Sequence, residues 1–106
     1  MFAVIYTFKV KSGMEADFLK GWSGLTQLIY KYEGSLGSKV HKMESLKYLA
    51  YAQWPSKEKW EMAGGNLPEK ANYYRTLMKD SCDEINTVHE MDLVLDLTNE
   101  KLFEKK

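Results

Sequence analysis

Residues 48–56 read Tyr48-Leu49-Ala50-Tyr51-Ala52-Gln53-Trp54-Pro55-Ser56. The first seven predict a strand over 48–54. In an extended chain, successive side chains alternate sides, so Leu49 and Tyr51 point one way. Tyr48, Ala50, Ala52 and Trp54 point the other. Both faces are apolar, and such a strand needs cover on both. Pro55 has no N–H for the ladder and stops it. Ser56 then suits the N-cap of a short helix through about Ala63, which Gly64-Gly65 break.

The N-terminal run has the same character. Over residues 2–11, Phe2, Val4, Tyr6, Phe8 and Val10 form one face, and Ala3, Ile5 and Thr7 keep the other apolar. Ser12-Gly13-Met14-Glu15 fits a capping box, with Ser12 as N-cap and Glu15 reaching back. Met14, Phe18, Trp22, Leu25, Ile29 and Tyr32 then recur at helical spacing, and Gly34 is placed to end that helix. Residues 36–44 form a weaker strand, joined to residues 48–54 by a hairpin through Glu44-Ser45-Leu46-Lys47. Beyond Gly65, Pro68 suits the first turn of another helix. Its stripe runs Ala71, Tyr74, Leu77, Met78, Ser81, Cys82 and Ile85. Residues 87–98 alternate again. His89, Met91, Leu93, Leu95 and Leu97 share one face, and Glu90, Asp92, Val94 and Asp96 the other. Residues 99–106 are a polar tail, so the domain spans residues 1–98.

Strand, helix, strand, strand, helix, strand is the α+β ferredoxin-like βαββαβ pattern, with helices on one face of a four-stranded antiparallel sheet. The first and third strands are apolar on the other face too. The simplest cover for that face is a second copy, sheet against sheet, which predicts a homodimer.

Composition narrows the function. The chain has 106 residues, enough for one domain. Its 15 Lys+Arg balance its 15 Asp+Glu. Nucleic-acid binding needs a surplus of cations against phosphate, and a polybasic membrane contact needs the same. The apolar N-terminal run lacks a basic lead-in and is too short to span a bilayer, so a cytoplasmic location is expected. Cys82 is the one cysteine, and a zinc site needs several ligands. Seven Tyr, four Phe and three Trp are a large aromatic payload for this length, calling for an aromatic core, a pocket or an interface.

Tyr51-Ala52-Gln53-Trp54-Pro55-Ser56-Lys57-Glu58-Lys59-Trp60, with Ser12-Gly13-Met14-Glu15 and Glu33-Gly34-Ser35-Leu36-Gly37, resembles the antibiotic biosynthesis monooxygenase family over about residues 2–97. The resemblance implies a dimeric α/β barrel with a pocket in each subunit between sheet and helices. It implies oxidation of a small aromatic or quinol-like substrate by molecular oxygen, with neither metal nor flavin. By the same resemblance, Trp54 matches the strand-ending pocket Trp and Trp60 the aromatic position on the next helix. Ala50 stands where the best-known polyketide-oxidising member has Asn. Tyr74 stands where it has Arg, one residue from Arg75. In haem-degrading relatives the functional positions fall on Tyr6, Ala63 and Tyr73. The alternative reading is therefore a non-catalytic dimeric barrel that binds a hydrophobic metabolite or haem.

The expected substrate-binding residues are thus Tyr6, Ala50, Trp54, Trp60, Tyr73 and Tyr74. His89 and Arg75 are the expected sources of polar chemistry. His89 follows from its place on the Met91–Leu93 face and from the aptness of imidazole for deprotonating a phenol. Arg75 is singled out as the sole arginine, a residue suited to carboxylate contact. Trp54 and Trp60 also make sense as plain core. The discriminating feature is the space behind Ala50 and Ala52: filled by Trp22 and Trp60 in a core, open in a pocket.

Overall fold

The computed structural model describes residues 1–98; the polar tail expected over 99–106 lies outside them. In order come β1 (Phe2–Val10), α1 (Glu15–Glu33), β2 (Gly37–Glu44), β3 (Lys47–Trp54), α2 (Lys57–Glu61), α3 (Ala71–Asp80) and β4 (Cys82–Asp92). The strands form one four-stranded sheet in the order β2-β3-β1-β4. Every neighbouring pair is antiparallel. The ferredoxin-like architecture is therefore as the hydropathy pattern predicts.

Apolar alternation explains the core. Val4, Phe8 and Val10 of β1 and Tyr48, Ala50, Ala52 and Trp54 of β3 are buried on the helix side. Phe18 of α1 is completely buried, 4.9 Å from the Phe8 ring and 5.1 Å from the Tyr48 ring. Two glycines let α1 approach α3. A Cβ on Gly21 would come within 2.6 Å of the Met78 backbone nitrogen, and one on Gly24 within 2.3 Å of the Tyr74 ring.

Four details differ from expectation. Ser12 does not cap α1. The chain turns through Gly13, which has φ 81°, and the helix starts after Met14 with no side-chain cap. Glu15 is spent elsewhere: its carboxylate accepts from the Tyr48 hydroxyl and pairs with Lys42 at 3.3 Å. The short helix ends at Glu61, not Ala63. The helix expected to carry Ser81, Cys82 and Ile85 ends at Asp80, and Cys82 opens β4 instead, so the strand expected over 87–98 starts earlier and ends at Asp92.

The physical reason for that last difference is a bulged strand. Cys82 pairs with Val10, Glu84 with Lys9 and Ile85 with Phe8, leaving Asp83 without an opposite residue. One extra residue puts Cys82 and Ile85 on one face of a strand at a spacing of three, which imitates a helix turn. A second bulge leaves out Val88, between the pairs Ile5–His89 and Tyr6–Thr87.

The opposite sheet face carries Ile5, Thr7, Leu49 and Tyr51, all half-buried. None of these belongs to a core cluster. Among the described residues, no helix is long and apolar enough to cross a membrane.

Candidate functional site

The space behind Ala50 and Ala52 is open. A chamber of about 220 Å³ lies between sheet and helices. Ala50, Ala52 and Trp54 form its floor; Trp22, Leu25 and Ile29 of α1 and Met78 of α3 form its roof. Small side chains on β3 make the room, because the rings that could have filled it are committed elsewhere. Trp22 borders the space as part of the roof and does not fill it. Trp60 is held away by a tilted ring contact with Phe2, 5.8 Å between ring centres.

Tyr6, Leu25, Ile29 and Trp54 also border a wider outer cleft of about 660 Å³. The two spaces therefore meet at these residues. The cleft adds Trp60, Ala63 and Leu67, and its polar groups are Glu61, Arg75 and Glu90. An apolar inner chamber with a polar mouth is the usual build of a small-molecule site.

Tyr6 stands at the junction. Its hydroxyl oxygen accepts a hydrogen bond from the Trp60 indole N–H at 2.9 Å. Burial pushes the Tyr6 phenol above its ordinary pKa; the Trp60 bond opposes this, and the charge of Glu90 adds to it. The group is therefore a neutral hydroxyl at neutral pH, able to donate its own proton. Ser56 makes the arrangement possible. Its side chain accepts from the Lys59 backbone N–H at 3.2 Å and starts α2, the helix that carries Trp60.

Of the expected residues, the structure brings together Tyr6, Ala50, Trp54, Trp60 and Arg75. Arg75 donates to the Asn72 side chain at 3.1 Å and makes no ion pair among the described residues. Three others lie elsewhere. His89 pairs with Ile5, which places it on the opposite sheet face, because directly opposed residues share a face. Its neighbour Glu90 takes the chamber side and pairs with Lys57 at 3.7 Å. The apolar face of β4 is the face away from the helices, so reading hydrophobicity as pocket-facing selected the wrong side. Tyr73 is 55% exposed and lies under Lys20, not in the chamber. Tyr74 packs on Gly24 as part of the contact between α1 and α3.

The sequence reading missed Thr26, Ser38 and Glu90 as lining residues. Thr26 follows Leu25 on the stripe already recognised, and Ser38 sits two residues before Val40 on β2, so helical and strand periods could have found both. Neither histidine borders the chamber or the cleft. Among the described residues, no group of three or more His, Cys, Asp or Glu side chains is placed to hold a metal.

Comparison with known proteins agrees with this fold. Among solved structures, a Bordetella bronchiseptica protein presented as a candidate antibiotic biosynthesis monooxygenase is 22% identical, with a TM-score of 0.70 over 89% of this chain and 97% of that one. A similar candidate from Caulobacter crescentus CB15 is 20% identical, with a TM-score of 0.72 over 89% and 90%. SnoaB, a cofactor-independent oxygenase from Streptomyces nogalater, is 12% identical in its N63A mutant form, with a TM-score of 0.72 over 91% and 95%. These likenesses show the fold. No curated protein matches the chain. The family model for antibiotic biosynthesis monooxygenases matches residues 1–64, the segment that supplies β1, the chamber floor, Trp54 and Trp60. With the match covering more than half of its length, the chain belongs to the antibiotic biosynthesis monooxygenase family.

Proposed function

We propose that the protein is a cofactor-independent monooxygenase that oxidises a small phenolic or quinol-like ring with molecular oxygen. The observation that carries this is the apolar chamber behind Ala50 and Ala52, with the neutral Tyr6 hydroxyl at its junction with the cleft. The reaction balances without an outside reductant. A phenol with a free para C–H takes up one O₂ and gives the quinone and one water. The ring loses its phenolic and para hydrogens. One oxygen atom becomes the new carbonyl, and the other leaves as water with both hydrogens. The substrate itself supplies all the electrons.

Size supports a small ring. An engineered cavity of about 150 Å³ holds benzene. The 220 Å³ chamber thus suits one substituted ring or a compact fused pair, with any tail in the outer cleft. Apolar walls favour the flat ring, and hydroxyl donors oppose charge that develops on its oxygen.

The test is oxygen uptake with a panel of phenols and dihydroxy-aromatics in the presence of a chelator. Ala50→Leu should fill the chamber and lower uptake at least tenfold while the protein stays folded. Absence of uptake across the panel, or full uptake in Ala50→Leu, overturns the reading.

The second copy belongs to the same proposal. We infer that a homodimer forms by packing of the open sheet face, because Ile5, Leu49 and Tyr51 lie there outside every core cluster.

A further inference from the structure

Both histidines of the chain lie on one face of the sheet. His41 of β2 pairs with Leu49 of β3, and His89 of β4 pairs with Ile5 of β1. Directly opposed residues share a face. Leu49 and Ile5 belong to the face away from the helices, so both imidazoles do too. They flank its apolar centre of Ile5, Leu49 and Tyr51, one on each edge strand. Both are exposed in the single chain.

The ladders also place the charges around them. Lys39 of β2 pairs with Tyr51, whose phenol is the other titratable group at the centre of the face. Toward the β2–β3 hairpin, Lys47 pairs with Lys9 of β1 and with Glu44, the latter as an ion pair at 3.1 Å. Glu84 of β4 opposes Lys9, and Asp83 sits in the bulge beside it. Lys42, Glu90 and Asp92 alternate to the helix side, opposite Tyr48, Val4 and Phe2. The two glutamates on the histidine face thus already stand opposite lysines. A second copy laid on the face brings the same set.

Area carries the histidines into that contact. Strands of 8 to 11 residues, about 4.8 Å apart, give a face of about 500 Å². A stable association takes about 800 Å² from each partner. Cover that holds two copies together must therefore reach both edge strands, and with them His41 and His89. A neutral imidazole tolerates such burial. An imidazolium loses its hydration there and adds positive charge to a surface that faces its own copy.

We propose that the homodimer is pH-switched, with protonation of His41 and His89 weakening the sheet-on-sheet contact so that mild acid releases the single chain. This rests on the homodimer reading and is independent of the oxidation chemistry. Histidine is the side chain that ordinarily changes charge between about pH 5 and 8. The separated chain binds protons that the dimer excludes, so falling pH draws the equilibrium toward the monomer and rising pH restores the dimer.

Sedimentation equilibrium on the full chain at constant ionic strength reads the dimer dissociation constant at about pH 8 and about pH 5.5, with circular dichroism following the fold. The constant should rise at least about tenfold in acid. His41→Gln and His89→Gln together keep neutral polar groups at both places. This double variant should dimerise at pH 8 as the wild type does and hold that affinity in acid. Dilution calorimetry near pH 6.5, repeated in buffers of different ionisation enthalpy, should show protons taken up as wild-type dimers separate. An unchanged constant, a double variant that keeps the full pH response, or separation without proton uptake overturns the proposal and leaves the homodimer standing. A wild type that is monomeric at pH 8 removes the homodimer and the switch together.

Discussion

Glu15 shows how a single residue is claimed by its surroundings. Its carboxyl is held below its ordinary pKa, first by the Tyr48 hydroxyl and then by Lys42. Tyr48 is pushed up in turn, chiefly by the same bond. A depressed carboxyl stabilises the fold above its unfolded pKa, and the contribution is lost as pH falls through the folded value. A raised phenol stabilises below its unfolded pKa, and the contribution is lost as pH climbs through the folded one. Tyr48→Phe should therefore be less stable than wild type near neutrality. The difference should shrink both in acid, below the usual carboxylate range, and in alkali, above the usual phenol range. Urea midpoints measured across pH check this.

Residue types in the sequence made half of the candidate site legible. Tyr6, Ala50, Trp54, Trp60 and Arg75 were recognisable from β1, β3 and a family pattern, and the structure brings them together. The side of β4 was not legible. His89 and Glu90 alternate, and their placement depends on which sheet face the helices cover. Tyr73 and Tyr74 were not separable either, since neighbours on a helix differ by about 100° in direction and the contact with Gly24 comes from a distant segment.

At the scale of elements, two short-range features carry more than their size. Ser56 starts α2, a five-residue helix that cannot stand on its own hydrogen bonds. Ser56→Ala should cost about 1 kcal/mol of stability. It should also loosen Trp60 and so raise KM for any chamber substrate more than it lowers kcat. Steady-state kinetics beside a denaturation curve would show both. Gly24 is the second. An added methyl would meet the Tyr74 ring, so Gly24→Ala should force α1 from α3 at a cost of about 1–3 kcal/mol. Calorimetry should record a drop in Tm of roughly 4–8 °C for each kcal/mol.

The same scale explains where element boundaries were readable. Gly34 ends α1 with φ 79°, as its position indicated, and Pro55 follows the last residue of β3. Local stereochemistry decides such ends. The start of β4 is decided instead by pairing with β1, and a bulge disguised it as helix.

For the whole molecule, the open sheet face is the apolar surface that the helices leave uncovered, with Ile5, Leu49 and Tyr51 outside the core. The fold was legible because strands that are apolar on both faces restrict the architecture strongly. In the proposed homodimer a second copy covers the second face. Tyr51→Asp should place a charge in the inferred interface without touching the chamber, whose floor is Ala50 and Ala52. Light scattering at micromolar concentration should then give a monomer where the wild type gives a dimer. A monomeric wild type would remove the homodimer.

The omission of Val88 from the ladder has a consequence for how this strand tolerates change in length. Without the bulge, Val88 would oppose Tyr6, and every residue before it would turn over. Asn86 would then point into the chamber, and Ile85 would point out. By absorbing one residue, the strand keeps its outer half and its inner half in independent phase. An insertion or deletion at this point would alter the length of β4 while leaving the chemistry of each side as it is.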